Sequence, residues 1–165
     1  MTIRVQREDF DVGAEIEALT NGNVSIGGVT SFVGLVRDMA GDGSRNDGAS
    51  EAVSGTGSAM TLEHYPGMTE KMLTKIDAEA QSRWPLEASL IIHRYGRLEP
   101  GDRIVLVAAA SAHRGTAFEA CEFLIDWLKT QAPFWKLEES ADGQATWVDA
   151  RASDDDAANR WRRNG

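Results

Sequence analysis

The chain has 165 residues, of which 42% are hydrophobic and 26% charged, a balance typical of one globular domain spanning residues 1–165. The formal net charge of −9 argues against a nucleic-acid binder, because phosphate backbones are bound by clustered positive charge. No apolar run approaches the roughly 20 residues that span a bilayer. The N-terminus also lacks the apolar core of a signal peptide, so we expect a cytoplasmic protein.

The first third of the chain predicts a strand, a helix, a second strand and a loop. Residues 2–6 form a candidate strand, and residues 12–19 place their apolar side chains on one face of a short helix. Residues 27–36 combine glycine with β-branched side chains, which predicts a strand where glycine permits close backbone approach. Residues 38–59 are dominated by Gly, Ser, Asp and Asn and therefore predict a flexible loop.

The middle of the chain predicts a helix between strands. Residues 61–64 form a short extended segment, and an apolar residue every fourth position from Met68 predicts a helix that ends before Pro85. We expect its methionines to lie in the core. Residues 88–95 alternate in polarity, turns follow at Gly96 and at 99–102, and residues 104–110 are apolar throughout. The last pattern predicts a strand covered on both faces.

The segment from residue 111 to 136 carries the best-marked helix. The sequence Thr-x-x-Glu at Thr116 is a capping box, which predicts that the helix begins there, and Pro133 ends it. His113 and Arg114 would then precede the helix, where free N–H groups favour an anion, although an exposed pair of this kind is common without any function. Lys129 falls in the last turn, where the helix dipole alone explains a lysine. It is roughly 20 Å from the helix start.

The C-terminal part predicts two strands, at residues 134–139 and 146–149, around an Asp142-Gly143 hairpin turn, and then a short helix at 154–162. The whole order of elements predicts an α+β fold, with a mixed or antiparallel sheet packed by helices.

Most familiar catalytic motifs are missing from the sequence. No phosphate-binding glycine loop or His-Glu-x-x-His motif occurs, and the three histidines lack metal-ligand spacing, so we expect neither a metal nor a cofactor. The single cysteine, Cys121, lies on the apolar helix face and is expected to be core. What remains is a set of cations that suits a small phosphorylated substrate. They are Arg37, His113, Arg114, Lys129, Lys136 and Arg151.

Several uncommon motifs occur in order along most of the chain, from about Phe32 to Arg151. They are TLEHYPGMTEK at 61–71, RWPL at 83–86, HR at 93–94, SAHR at 111–114 and LKTQAPFWK at 128–136. With these motifs the sequence resembles the large, catalytic subunits of molybdopterin synthase. The resemblance implies an α/β-hammerhead-like fold and a sulfurtransferase that converts cyclic pyranopterin monophosphate to molybdopterin. The predicted loop at 38–59 is longer than the connection expected in that family.

The resemblance also implies partners. Sulfur would arrive as a thiocarboxylate on the C-terminal Gly-Gly tail of a small ubiquitin-like subunit, and two large subunits would form the homodimer core of a heterotetramer. A non-catalytic docking subunit for the sulfur carrier is an alternative, but docking alone would not require both Lys129 and Lys136. A phosphate-ester hydrolase is a weaker alternative, since no metal site or nucleophile motif supports it.

Carried over by motif, Lys129 and Lys136 would be the catalytic lysines. Lys129 would take part directly, and Lys136 would orient the substrate and stabilise charge. Two alternatives apply to Glu138, which either tunes Lys136 or is a solvated strand residue. The residues implied in binding the substrate are Arg37, His113, Arg114 and Arg151, and those shaping the pocket are Phe32 and the wall around Ile125. Because one helix separates His113 and Arg114 from Lys129, we predict that the two ends meet across the dimer interface.

Overall fold

The computed structural model describes residues 1–37, 59–139, 145–148 and 152–162, and it confirms the α+β class. The strands are β1 (Thr2–Gln6), β2 (Gly28–Leu35), β3 (Ala59–His64), β4 (Ala88–Arg94), β5 (Gly96–Leu98), β6 (Arg103–Ser111), β7 (Phe134–Glu139) and β8 (Ala145–Val148). The helices are α1 (Val12–Thr20), α2 (Met68–Arg83), α3 (Arg114–Gln131) and α4 (Ala152–Arg162). Among the described residues, no helix has the length and apolarity needed to cross a bilayer.

Three predicted features fall wholly or partly beyond these ranges. The loop predicted at 38–59 lies outside them except for its last residue, Ala59, which is buried at the start of β3. The Asp142-Gly143 turn and Arg151 also lie outside the described residues.

Sheet 1 has the strand order β1-β4-β6-β2, with β1 parallel to β4 and the other pairs antiparallel. Its central strands β4 and β6 are buried on both faces. The apolar pattern predicted this for β6, whereas the alternation of residues 88–95 did not predict it for β4. One face, which includes Leu90 and Leu106, packs against α1. The other face, which includes Ile91 and Val107, packs against α2 and α3. This double cover makes sheet 1 the main hydrophobic core.

Sheet 2 has the order β5-β3-β7-β8 and is antiparallel throughout. Its strand β5 occupies the position where the sequence predicted only a turn at Gly96. That residue has φ +94°, so the chain does turn there, but the next residues then pair with β3. A small cluster of Val36, Leu62 and Leu98 packs beside this sheet.

Glycines allow close approach at both ends of β2, as the composition of that strand predicted. A Cβ atom added at Gly27 would lie 2.1 Å from the carbonyl oxygen of Ala112, which leads into α3. At Gly34 an added Cβ would lie 2.7 Å from the Cγ1 atom of Val105. Both distances are far below ordinary contact, so β2 can occupy this position only with glycine at these points.

Helix α2 ends before Pro85 as predicted, but the expectation that its methionines are core is wrong for Met68. That side chain is 55% exposed, because it is the first helical residue and the buried face begins one residue later at Thr69. Leu73, Ile76 and Ala80 then form the face that packs on sheet 1.

Helix α3 begins at Arg114, two residues before the predicted start, and the capping-box prediction is wrong. His113 is the N-cap, without a side-chain cap bond. The carboxylate of Glu119, expected to cap the helix, instead accepts a hydrogen bond of 2.9 Å from the indole N–H of Trp84. The predicted end is confirmed, since Ala132 is the C-cap directly before Pro133.

Candidate active site

A cavity of about 580 Å³ lies between the two sheets, beside the C-terminal end of α3. This size suits a small organic ligand. The cavity brings together five of the residues singled out in the sequence, and Ile125 lies in its wall as expected. The five are Phe32, Arg37, Lys129, Lys136 and Glu138.

Strand β7 supplies one wall through every second residue. Phe134, Lys136 and Glu138 all line the cavity, because alternate side chains of a strand point to the same face. Lys136 pairs with Leu62 on β3 and with Val148 on β8, and both of these neighbours also line the cavity. The ammonium group of Lys136 therefore extends from an otherwise apolar patch.

Helix α3 supplies Lys129 from the opposite wall. Its neighbour Leu128 is 3% exposed and belongs to the main core, whereas Lys129 itself is exposed at the cavity. The break at Pro133 then turns the chain directly into β7, and the Thr69 hydroxyl donates a hydrogen bond of 3.2 Å to the Pro133 carbonyl. The two lysines thus stand on consecutive elements joined by a short, anchored connection.

The exit of β2 supplies Phe32 and Arg37. Phe32 is 38% exposed, unusual for a large apolar side chain on a strand beside the core. Just before Arg37, the Val36 N–H donates to the Asp102 carbonyl and the Val36 carbonyl accepts from the Gly101 N–H, both at 2.8 Å. These bonds fix the backbone from which the guanidinium reaches the cavity.

His113 and Arg114 are not part of this cavity in the single chain. Both are exposed at the N-terminal end of α3, where Gly28 of β2 packs against Arg114. Arg114 and Lys129 are fifteen residues apart on one helix, a separation of roughly 22 Å. One copy of α3 therefore cannot place both ends of the helix around one small ligand.

His93 lines the cavity but was not among the predicted site residues. It is 5% exposed, and its ring stacks on Phe134 with a centroid distance of 3.6 Å. Burial lowers the pKa of His93 to about 4, and the nearby positive charge of Lys136 acts in the same direction. The sequence signals for His93 were the HR motif at 93–94 and the alternation of β4, and neither shows what the ring contacts.

The fold and the cavity together define a class of protein, an α+β protein with a lysine-bearing pocket that suits a small anion. Several cations converge there in a protein of net charge −9, which makes the cavity the natural place for a negatively charged ligand. Within the described ranges, no group of three His, Cys, Asp or Glu side chains is arranged to hold a metal ion.

Comparison with known proteins identifies the family. A sequence profile of the MoaE protein family matches residues 5–131. The molybdopterin synthase catalytic subunit of Ralstonia nicotianae is 58% identical over 160 residues, covering 97% of this chain and 84% of that protein. The chain belongs to the MoaE family of molybdopterin synthase catalytic subunits, which confirms the resemblance found in its motifs.

Solved structures agree with this assignment. The molybdopterin cofactor biosynthesis protein E of Burkholderia multivorans matches with a TM-score of 0.77 and 50% identity, covering 98% of this chain and 96% of that chain. A complex of subunits 1 and 2 of the molybdopterin-converting factor from Helicobacter pylori contains a chain of the same fold. That chain matches with a TM-score of 0.68 and 17% identity, over 90% of this chain and 91% of the other.

Proposed function

We propose that this catalytic subunit converts cyclic pyranopterin monophosphate to molybdopterin with sulfur from a thiocarboxylated small subunit. The observation that carries the proposal is the cavity that Lys129 and Lys136 share. Both the substrate phosphate and a thiocarboxylate are anions. The acidic protein as a whole repels them, and the cations of the cavity would attract them. The cavity volume of about 580 Å³ leaves room for a small heterocycle beside the end of an extended tail.

The two lysines differ in their settings, and we assign them different roles. Lys129 stands at the end of α3, on a helix anchored in the main core, and would act directly as acid, base or transient covalent partner. Lys136 stands on β7 with Glu138 two residues further on the same wall. It would orient the substrate and stabilise developing negative charge, with Glu138 tuning its charge.

Substrate binding would extend beyond the lysines. Arg37 at the rim suits bidentate contact with the phosphate, and the exposed ring of Phe32 offers an apolar wall. Arg151 belongs to the same expected set and stays a prediction from its motif.

His113 and Arg114 would complete the site from a second copy of the chain. The support is geometric, because roughly 22 Å of helix separates them from Lys129 within one chain. Phe118, which is 59% exposed, follows Arg114 by one helical turn and leads along the helix toward Ile125 and the cavity. An antiparallel partner helix across this surface would bring Arg114 of one copy near Lys129 of the other. Activity would then require the dimer.

The small subunit is proposed on the comparison with the Helicobacter pylori complex of two converting-factor subunits. Its Gly-Gly tail would enter the cavity and present the thiocarboxylate to the lysines. A heterotetramer would follow if each copy of a central dimer binds one small subunit.

Single-turnover conversion of the cyclic precursor, with a thiocarboxylated small subunit, tests the proposal. Wild type should form product, and Lys129→Ala should be slower by at least about a hundredfold, the scale of removing a positioned proton-transfer group. Tail binding by wild type without product would favour a non-catalytic docking subunit. If Lys129→Ala matches wild type, Lys129 is not the reacting group.

The shared site has its own test, a mixture of two inactive variants. Lys129→Ala and Arg114→Ala should each be slow as homodimers. Mixed dimers should regain activity, because one of their two cavities contains both native residues. Absence of recovery in demonstrated mixed dimers would contradict a site shared between copies.

A further inference from the structure

The ring of His93 is held on two sides. Its Nδ1 atom lies 2.8 Å from the carbonyl oxygen of Arg94, and its face stacks on Phe134 at an interplanar angle of 15°. A carbonyl oxygen can only accept, so the imidazole proton must be on Nδ1. The Nε2 atom of the neutral ring then carries a lone pair. The hydrogen bond therefore fixes one tautomer of His93.

This ring forms a direct contact between sheet 1 and β7. His93 belongs to β4 in sheet 1, whereas Phe134 begins β7 in sheet 2. The ring of His64 on β3 lies nearby in a tilted orientation, with its centroid 6.5 Å from that of Phe134 and 4.3 Å from that of Tyr95. Lys136 follows Phe134 by two residues on the same face of β7.

The two lysines depend on different parts of this arrangement. Lys129 is placed by α3, which packs on sheet 1 through residues such as Leu124 and Leu128. Lys136 is placed by sheet 2. The separation of the two ammonium groups therefore depends on how the sheets meet, and the His93–Phe134 stack is a direct contact between them.

The charge of His93 matters because of what surrounds it. Lys136 on β7 and His64 on β3 both disfavour a positive charge on the ring, and burial disfavours it more, while the bond to the Arg94 carbonyl acts in the opposite direction. With a pKa of about 4, the ring is almost entirely neutral at pH 7 and is a weak base there. It can pack beside Lys136 without repelling it, and it is poorly suited to proton transfer.

We propose that His93 is a positioning residue, an uncharged ring that holds Phe134 and thereby sets where β7 places Lys136 relative to Lys129. The inference rests on the proposed function in one respect, because it takes Lys136 as part of the reacting site. The inference goes further in one respect, because His93 was not among the predicted site residues and is now expected to affect the rate of turnover. The relevant variants are therefore those that separate stacking, the Nδ1–H bond and general stability.

Three variants in the complete complex make this separation, with kcat and KM measured per folded molecule. His93→Leu removes the aromatic stack and the donor, and we expect a tenfold to hundredfold lower kcat, since displacing a reacting group by about 1 Å has effects of this size. KM for the pterin should change less than about threefold, because the other binding residues stay in place. His93→Phe keeps the stack and should recover most of kcat.

Ile91→Ala is the matched control. Ile91 lies on the same strand and face as His93, is fully buried, and does not line the cavity. It should lower stability and leave kcat per folded molecule unchanged. Equal kcat in His93→Leu and Ile91→Ala would overturn the inference. If His93→Leu does not fold, failure of the folded His93→Phe variant to keep at least about a third of wild-type kcat overturns it instead.

The route through Lys136 is tested by the double variant His93→Leu/Lys136→Ala. If His93 acts by placing Lys136, the double variant should be about as slow as Lys136→Ala alone, whereas multiplied losses contradict that route. If Lys136→Ala turns over like wild type while His93→Leu is slow, His93 does not act through Lys136.

A spectroscopic measurement on the isolated chain is independent of turnover. Long-range ¹H–¹⁵N spectra of the histidine rings should show His93 neutral, with its proton on Nδ1, from pH 8 down to about pH 5. Titration near the ordinary histidine pKa of about 6.5, or a proton on Nε2, would overturn the inference and leave the proposed sulfur-transfer function untouched.

Discussion

The two sheets of this protein are built by opposite rules. In sheet 1, β4 and β6 are mostly apolar and are buried on both faces, because α1 covers one side and α2 and α3 cover the other. In sheet 2, β7 alternates, with Lys136 and Glu138 toward the cavity and Trp135 toward the outside. Stability is therefore concentrated in sheet 1. Sheet 2 is free to carry charged groups because the fold does not depend on its cavity face being apolar.

A core truncation in sheet 1 should give the largest effect on stability. Leu106→Ala removes a fully buried side chain from the face against α1, and we expect a loss of about 2–5 kcal/mol in the free energy of unfolding. Chemical denaturation measures it. Turnover per folded molecule should stay near wild type, since Leu106 does not line the cavity. A loss below about 1 kcal/mol would show that sheet 1 is not the main source of stability.

A change on the cavity face of sheet 2 should affect the rate instead. Lys136→Ala should slow single turnover by about a hundredfold, as for loss of a charge-stabilising group, and leave the free energy of unfolding within about 0.5 kcal/mol. Trp135→Ala is the matched control, because that side chain is next along β7 and faces away from the cavity. If the tryptophan variant loses as much activity, the two faces of β7 do not differ in function.

Asp77 is a buried acid on the side of sheet 1 that α2 covers. It is 1% exposed on α2, neither carboxylate oxygen has a well-formed hydrogen bond, and the nearby Ser89 hydroxyl accepts one of 3.1 Å from Gln81. Burial raises the pKa of Asp77, with Ser89, Gln81 and the N-terminal ammonium group only partly opposing it. The folded state therefore favours the protonated acid.

Asp77→Asn should accordingly stabilise the protein at neutral pH, by about 0.5–2 kcal/mol. Because the unfolded acid ionises first, wild type loses stability as the pH rises from the ordinary aspartate pKa through the raised value in the folded state. An asparagine at this position does not ionise. The difference in the free energy of unfolding between Asp77→Asn and wild type should therefore grow as the pH rises between these two pKa values. Equal stability of both proteins at every pH would contradict a raised pKa of Asp77 in the folded state.

The smallest effect is expected on the outer face of sheet 2. Trp147 on β8 is 56% exposed, and Trp147→Thr keeps a residue that suits a strand. The free energy of unfolding should change by no more than about 0.5 kcal/mol, as for most surface substitutions. A loss of several kcal/mol on thermal or chemical unfolding would show that this face is packed in solution.

The start of α3 shows where sequence reasoning reached its limit. The motif from Thr116 to Glu119 favours a helix start at Thr116, but the helix begins at Arg114, which lies beside Gly28 of β2. Glu119 then finds a different partner in Trp84, at the end of α2. Neither contact is visible in local sequence, because each joins residues distant along the chain. The helix end was predictable, since Pro133 acts within its own segment.

The candidate site likewise has features that the sequence predicted and features that depend on contacts between distant residues. Local patterns and family motifs placed Lys129 at a helix end and Lys136 on a strand, and the described structure has both at those positions. That they share a cavity depends on the packing of two sheets. His93 could not be selected from its sequence position, because its partner Phe134 is 41 residues away on the other sheet.

Cys121 has a consequence for the path of sulfur. It is the single cysteine of the chain, it is 3% exposed in the main core, and burial raises its pKa to about 11. A thiol that stays protonated and out of contact with solvent cannot hold a persulfide on the way to a substrate. Under the proposed function, the transferred atom must remain bonded to its carrier until it meets the pterin. Thiol-alkylating reagents and mild oxidants should therefore leave the activity of this subunit unchanged.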